Sequence, residues 1–172
     1  MNSFLELAKN RYSVRKYKSD PVEQEKIDRI LEAARIAPTA CNNQPQKIFV
    51  VRSEEKRKAL AAICPCTFDA PVVFVIACDP QIAAKGRVRE GYQFGETDAA
   101  IVCSHMLFEA AELGLGSCWV GWFSSEEVKQ ALGLPENLDV CDLLPVGYPA
   151  DDAKPSRMHS QKRPLEEIVT EL

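Results

Sequence analysis

Apolar residues recur at helical spacing in five segments of the chain and form short apolar runs, partly β-branched, in four others. The helical segments cover residues 4–10, 20–36, 53–63, 96–113 and 124–133. The strand-like segments cover residues 48–51, 71–78, 117–122 and 140–146, and Pro145 is expected to interrupt the last of them. Residues 96–113 are apolar around more than half of the helix circumference, so this helix is expected to be central in the fold.

Local start and stop signals accompany most of these helices. Ser3 and Glu6 have the spacing of a capping box. Asp20 followed by Pro21 predicts an N-cap and a first helical residue, and Pro38 predicts an end near residue 36. Gly114 and Gly133 are natural residues to follow a helix end.

Two stretches do not fit a regular element. Residues 79–94 are polar and carry Lys85, Arg87, Arg89 and Glu90, which predicts a mobile loop or lid that could bind a nucleotide phosphate or an acidic substrate. Residues 149–172 contain few apolar residues before Leu165. Such a tail is expected to be disordered or bound to a partner.

The composition is that of a globular protein with 46% apolar and 27% charged residues. A length of 172 residues predicts one domain spanning residues 1–172. The net charge of -4 gives no indication of general affinity for nucleic acids, and no nucleic-acid partner is predicted. The sequence contains neither an apolar run of membrane-spanning length nor a signal-peptide pattern, so a cytoplasmic location is predicted.

The seven cysteines are scattered among apolar runs, which predicts reduced, mostly buried thiols and no disulfide framework. Cys64 and Cys66 form the one close pair. Because no second pair at zinc-site spacing and only two histidines accompany them, a metal site is not predicted. His105 lies among apolar residues and is interpreted as a core or interface residue, not a catalytic one.

Residues 11–15 read Arg-Tyr-Ser-Val-Arg and combine two guanidinium groups with a hydroxyl. On an extended backbone, residues 11, 13 and 15 point to the same side. Two arginines and a serine directed at one point suit a phosphate group. An exposed basic strand edge explains the same five residues without a ligand.

A second stretch, residues 37–46, reads Ala-Pro-Thr-Ala-Cys-Asn-Asn-Gln-Pro-Gln. Together the two stretches resemble the FMN-dependent nitroreductase family, whose members carry Arg-x-Ser-x-Arg/Lys after a first helix and Ala-Pro-Ser/Thr-x-x-Asn-x-Gln-Pro-Trp after a second. Three more matches follow in the family's order. They are residues 114–121, 144–149 and 162–167.

The resemblance implies an α+β nitroreductase-like fold, with a central mixed or antiparallel sheet flanked by helices, in an intertwined homodimer that exchanges C-terminal tails. It implies an oxidoreductase with FMN as cofactor and NADH or NADPH as electron donor. The acceptors would be nitroaromatic, quinone-type or similar electrophiles, reduced in a ping-pong reaction that needs no dedicated side-chain acid or base. A flavin store or redox sensor, or a reductive dehalogenase-like or flavin-consuming relative, would use the same cofactor site.

The resemblance also assigns residues to the cofactor. The phosphate would contact Arg11, Ser13, Lys162 and Arg163, with Tyr12 beside them, and Arg15 would bind either the phosphate or the pyrimidine edge of the flavin. A second group would reach the flavin of the opposite subunit, and a third would offer backbone N–H groups near flavin N5 and O4. The second group is Pro38, Thr39, Ala40 and Asn42, and the third is Trp119, Val120, Gly121 and Trp122.

The sequence departs from the family pattern in two respects. Gln46 stands where the family has Trp, and the chain has no additional helical segment to cover the flavin ring. Both departures affect the expected substrate more than the expected cofactor. Gly114 and Gly116 do not form a dinucleotide-binding fingerprint, since they precede a predicted strand instead of following one.

Overall fold

A computed structural model describes residues 3–86 and 92–172. Arg87, Arg89 and Glu90 of the predicted polar loop lie outside the described residues. The described residues form five α-helices and four strands. The helices are α1 (Phe4–Asn10), α2 (Gln24–Ile36), α3 (Glu54–Ile63), α4 (Gly95–Glu112) and α5 (Ser125–Leu132), and the strands are β1 (Gln46–Val51), β2 (Val72–Cys78), β3 (Gly116–Ser117) and β4 (Asp139–Gly147).

The four strands form one antiparallel sheet in the order β1-β2-β4-β3. β2 and β4 are its central pair, and every residue of β2 is buried, as expected for a strand covered on both faces. The register of this pair shifts between Ile76 and Ala77, where β4 has one additional residue. The expected α+β fold with a helix-flanked sheet is therefore confirmed.

Each face of the sheet has its own apolar core. On one face, Phe74 and Leu144 pack with residues of α2 and α4. On the other face, Val75 and Leu143 pack with residues of α3 and α5. Eight of the 18 residues of α4 are buried, which confirms the central position expected for this helix.

Several of the predicted helix ends are confirmed. Ser3 and Glu6 form the capping box of α1. Ser53 and Ser124 accept backbone N–H groups at the starts of α3 and α5. Gly133 ends α5 with a φ of 69°, a left-handed conformation that glycine adopts without steric cost.

The predicted start of α2 at Asp20 and Pro21 is wrong, because the helix begins at Gln24 after Glu23. Val22 is almost fully buried within the α2–α4 core, which holds residues 20–23 in a non-helical conformation. Glu23 provides no side-chain cap. Its carboxylate instead accepts a hydrogen bond from Tyr148 Oη at 2.8 Å.

Two strand predictions also need correction. The strand expected over residues 117–122 is only the two-residue β3, and Val120 adds an isolated bridge to Leu143. β4 was expected to be interrupted at Pro145 but continues through it. Pro145 pairs with Val73, and its carbonyl accepts the N–H of Cys118 on the other side, so the strand stays paired at this residue although proline has no N–H to donate.

The tail after β4 has a first part that contacts its own chain and an exposed end. Its first part lies on its own chain, where Asp152 and Asp151 pair with Lys16 and Lys18. Residues 160–172 are exposed. Among the described residues, no helix combines the length and apolar character that crossing a membrane requires.

Candidate functional site

A cavity of about 210 Å³ lies beside the carboxyl-terminal end of α4. Gly114, with a φ of 74°, turns the chain from α4 toward β3. A Cβ atom on Gly116 would come within 2.6 Å of Val14, so only glycine allows the two backbones to approach this closely. The cavity wall includes Arg11, Tyr12, Val14, Gly116 and Ser117.

The 11–15 segment runs along the edge of the sheet next to β3. Val14 N–H donates to Ser117 O at 2.9 Å, and Ser13 forms a parallel bridge with Ser117. Val14 is buried whereas Arg15 is exposed, which is the alternation expected of an extended segment. Ser13 is half-buried, and the cavity wall contains Arg11, Tyr12 and Val14 but neither Ser13 nor Arg15.

Two hydrogen-bond donors at this cavity lack a partner. The Nε of Arg11 and the Oγ of Ser117 are buried and have no hydrogen-bond partner among the described residues. Ser117 is only 2% exposed, so bulk water does not compensate it. Buried donors without an acceptor cost free energy, and an anion at this cavity would supply acceptors to both.

The thiol of Cys118 shows that the functional groups of the 11–15 segment lie close together. Burial raises the pKa of Cys118, while the charge of Arg15 and a hydrogen bond from Ser13 lower it, with a further contribution from Arg11. All three side chains named from the sequence thus lie near one buried sulfur. Their combined field is positive.

The 119–122 segment follows directly and presents two tryptophans. Trp119 Nε1 donates to Asp142 Oδ1 at 2.5 Å, and burial raises the pKa of that carboxyl group. Trp122 is 82% exposed. Val120 N–H is already donated to Leu143 O, so Val120 does not have a free backbone donor. A Cβ atom at Gly121 would meet nothing within 4 Å.

The 38–46 loop lies at the amino-terminal end of α4. Ala40 N–H donates to Asp98 Oδ1 at 2.8 Å, and Gln44 N–H donates to Thr39 Oγ1 at 3.0 Å. These bonds surround a short 3-10 turn in which Cys41 and Asn42 have φ values of 55° and 56°. Such left-handed residues cost about 1–2 kcal/mol when they are not glycine, so the loop is held in a specific conformation.

Pro38 and Asn42 are exposed in this loop, whereas Gln46, at the position of the family's Trp, is half-buried. Its Oε1 atom is buried without a hydrogen-bond donor among the described residues. Gln46 opens β1 and pairs with Cys78 in the sheet. The substitution therefore places an unsatisfied amide where an indole would fill space.

The two tail residues predicted to bind phosphate are exposed and bonded within the tail. Lys162 Nζ donates to His159 O at 2.8 Å, and Arg163 Nε donates to Glu167 Oε2 at 3.0 Å. The ring of His159 lies next to Tyr12, with centroids 6.2 Å apart. Lys162 is thus tied to a residue beside the 11–15 segment, whereas Arg163 is held by Glu167.

Sequence reasoning missed three residues of this region, which are Asp98, Ser117 and Asp142. Ser117 lies inside a recognised motif, but its buried, unpartnered hydroxyl depends on the approach of Val14 to Gly116. Asp98 had the signal of an ordinary acid in a first helical turn. Asp142 lies in a strand that reads as mostly apolar, and only its contact with Trp119 distinguishes it.

Comparison with known proteins places this chain among flavoprotein relatives. The family described as "Nitroreductase family" matches residues 8–66 and 61–148. A nitroreductase family protein from Clostridium difficile has a TM-score of 0.91 at 37% identity, covering 99% of this chain and 98% of that one. A Desulfovibrio desulfuricans chain solved in complex with FMN has a TM-score of 0.83 at 27% identity, covering 100% and 98%. The Bacillus subtilis FMN reductase [NAD(P)H] is 29% identical, covering 92% of this chain and 71% of the relative.

Proposed function

The chain belongs to the nitroreductase family, and we propose that it is an FMN-dependent NAD(P)H oxidoreductase. Its acceptors are nitroaromatic, quinone-type or similar electrophilic molecules. The observation that carries this proposal is the pair of buried, unpartnered donors, Arg11 Nε and Ser117 Oγ, at the cavity beside the 11–15 segment. A phosphate monoester has the acceptors that these donors lack.

The residues present fit FMN from its phosphate end. Arg11, Ser13 and Ser117 would hold the phosphate, and Lys162 would add charge from the tail. Arg163 is bonded to Glu167 and would have to exchange that carboxylate for the phosphate. The exposed side chain of Arg15 would lie near the pyrimidine edge or the phosphate, where a cation balances negative charge.

The flat flavin ring of FMN requires an apolar surface to pack against and backbone N–H groups that donate to its polar atoms. Trp119 and Trp122 offer aromatic surface, and the open backbone at Gly121 offers room for close approach. Bound FMN would supply the chemistry of hydride transfer between NAD(P)H and the acceptor, in a reaction of the ping-pong type. The chain's own part would be to orient both partners and to exclude water, with no side chain serving as acid or base.

We further propose that the active unit is a homodimer that exchanges C-terminal tails. The 18 residues of α4 span about 27 Å, and they separate the 38–46 loop from the 11–15 segment. A single FMN touching both within one chain would have to run most of that length. A second copy that brings its own 38–46 loop to this cavity removes the difficulty.

Exposed apolar surface supports the same assembly. A groove of about 520 Å³ between α1, α2 and α4 includes Phe4, Ile36, His105 and Phe108 in its walls, and Ile36 is 63% exposed. The end of the tail exposes further apolar side chains that a second copy could cover. These are Leu165, Ile168, Val169 and Leu172.

The free thiols of the cysteines fit a cytoplasmic location. All seven are free, and three of them, Cys64, Cys103 and Cys118, are buried within the apolar cores. Reduced thiols in this number match a reducing compartment. The location remains part of the proposal, as does the organisation of residues 1–172 as one domain.

The visible absorption spectrum of the purified protein, recorded anaerobically before and after NADH or NADPH, tests the proposal. A bound flavin spectrum that bleaches on addition of the nicotinamide, and recovers when a quinone or nitroaromatic acceptor is added, is the expected result. A flavin spectrum that never bleaches would favour storage or sensing. A colourless protein that does not take up added FMN would overturn the assignment of the cavity.

A further inference from the structure

Asp98 is a buried carboxylate in the first turn of α4 that the proposed reaction does not use. It is 1% exposed, and burying a charged group costs free energy unless hydrogen bonds compensate it. One of its oxygens is used, since Oδ1 accepts the N–H of Ala40 at 2.8 Å. The other oxygen, Oδ2, has no hydrogen-bond donor among the described residues.

The bond to Ala40 joins the central helix to a loop 58 residues earlier in the chain. It is formed at the first residue of the 3-10 turn Ala40–Asn42. Cys41, Asn42 and Gln44 all have left-handed backbone conformations in the same loop. Left-handed conformations persist at such residues only where the surrounding contacts impose them, and Asp98 supplies the contact from α4.

We infer that Asp98 is a positioning residue for the cofactor, because it fixes the 38–46 loop in the conformation that contacts FMN of the second copy. This inference rests on the proposed function. The carboxylate occupies Ala40 N–H, so this amide is not a donor to the flavin. The exposed Pro38 and Asn42 and the remaining loop backbone are left to contact the ligand, and an ordered loop loses less entropy on binding.

Titration of the full-length apoprotein with FMN, followed by flavin fluorescence, tests the inference in matched variants. Asp98→Ala removes the acceptor and is expected to weaken FMN binding about tenfold, the factor that corresponds to one hydrogen bond to a charged group. Asp98→Asn keeps an oxygen that can accept Ala40 N–H. Its dissociation constant is therefore expected to return to within about threefold of the wild type.

Ser125→Ala serves as the control for a purely structural effect. Ser125 also lies in the first turn of a helix, and its Oγ accepts the N–H of Val140 at 3.1 Å. Its loss is expected to lower the melting temperature without changing FMN affinity. A Ser125→Ala variant that loses FMN affinity in the same proportion as Asp98→Ala, at an equal loss of melting temperature, would overturn the positioning role.

A second variant removes the donor instead of the acceptor, should Asp98→Ala fold poorly. Ala40→Pro deletes the N–H, and Thr39 already has the extended backbone, with φ of -132° and ψ of 157°, that a residue before proline requires. Because Ala40→Pro deletes the same bond, it should by itself weaken FMN binding about as much as Asp98→Ala, and where both variants fold their effects should not add in the double variant. Additive effects contradict the inference.

The outcomes separate this inference from the proposed function. Wild-type protein that fails to bind FMN overturns both. Wild-type protein that binds FMN while Asp98→Ala binds it equally well overturns the positioning role alone. Weakened binding by Asp98→Ala, recovery in Asp98→Asn and unchanged binding by Ser125→Ala together support it.

Discussion

The two ends of α4 differ in how their polar groups are satisfied. At the carboxyl-terminal end, Arg11 Nε and Ser117 Oγ are buried donors without acceptors among the described residues. At the amino-terminal end, Asp98 and Thr39 accept backbone N–H groups and hold the 38–46 loop. The unpartnered atoms at the first end are donors, which suit an acceptor-rich ligand. At the second end they are the acceptors Asp98 Oδ2 and Gln46 Oε1, while the bonded oxygens of Asp98 and Thr39 hold the loop backbone.

This difference indicates that the two ends have different roles in ligand binding. Unpaired donors provide affinity for an anion. An ordered loop provides a binding surface that loses little conformational entropy when the ligand binds. Under the proposed function, neither end alone would form a complete FMN site, because the helix holds them apart. Two copies arranged so that opposite ends meet would form two complete sites.

The largest effect on FMN binding is expected when the 38–46 loop of one copy is kept away from the cavity of the other copy. Ile36→Asp adds a charge to the exposed apolar groove at the end of α2, next to the 38–46 loop. Burying that carboxylate at an interface should weaken the dimer by on the order of 2–4 kcal/mol and reduce FMN retention with it. Sedimentation velocity and the ratio of flavin to protein measure the two effects.

Ala62→Asp is the matched control, since Ala62 is an exposed residue of α3 outside the apolar groove. It should leave both the assembly and the flavin content unchanged. A monomeric Ile36→Asp variant with full flavin content would contradict the division of the site between two copies.

The next largest effect on FMN binding is expected at the carboxyl-terminal end of α4, where the unpartnered donors lie. Arg11→Ala should weaken FMN binding by about 1.5–3 kcal/mol, the range for a charge-assisted hydrogen bond. Equilibrium titration with FMN measures this change. Arg52→Ala removes another arginine, one that is exposed and bonded to Gln24, and should bind FMN like the wild type. Equal affinity of the Arg11→Ala variant would refute the phosphate role.

A smaller effect is expected for Ser117→Ala, which should stabilise the free protein but weaken its binding of FMN. The free protein loses an unsatisfied buried hydroxyl and should gain up to about 1 kcal/mol in its free energy of unfolding, whereas FMN affinity should fall by about 0.5–1.5 kcal/mol. Thermal unfolding with and without FMN separates the two changes. Ser53→Ala, whose hydroxyl accepts the N–H of Lys56 at the start of α3, lies outside the cavity and the apolar groove and should show no effect on affinity.

Much of this architecture could be predicted from residue patterns, and the exceptions have specific causes. The capping residues Ser3, Ser53 and Ser124 act within four residues of themselves, so local sequence was sufficient. Val22 shifts the start of α2 because it is needed in a core formed by distant residues. The β3 prediction was wrong because backbone pairing beyond Ser117 depends on β4, not on local β propensity.

The candidate site likewise combines features that local sequence predicts with features that depend on distant residues. The 11–15 segment and the 38–46 loop were recognisable by resemblance because their residue types carry their chemistry. Asp98 was not recognisable, since its role arises from Ala40, a residue 58 positions away. Whether the 11–15 segment, the 38–46 loop, the tail residues and the tryptophans contact FMN stays a prediction.

The smallest effect concerns Asp142, which lies between the two ends and receives the indole N–H of Trp119. Burial raises the pKa of Asp142, and the nearby charge of Glu96 raises it further, while the bond from Trp119 lowers it. The folded protein therefore binds this proton more tightly than the unfolded chain. Stability should fall as the pH rises from the ordinary pKa of an aspartate through the raised one.

Asp142→Asn removes the titrating charge and keeps an oxygen for Trp119, so it should abolish this part of the pH dependence. The variant and the wild type should unfold at similar temperatures in acid, where Asp142 is protonated. At neutral pH the variant should be more stable, by at most about 3 °C, because it no longer buries a charge. Melting curves between acidic and neutral pH measure the difference, and a difference that shrinks as pH rises would show that the bond to Trp119, not burial, controls this carboxyl group.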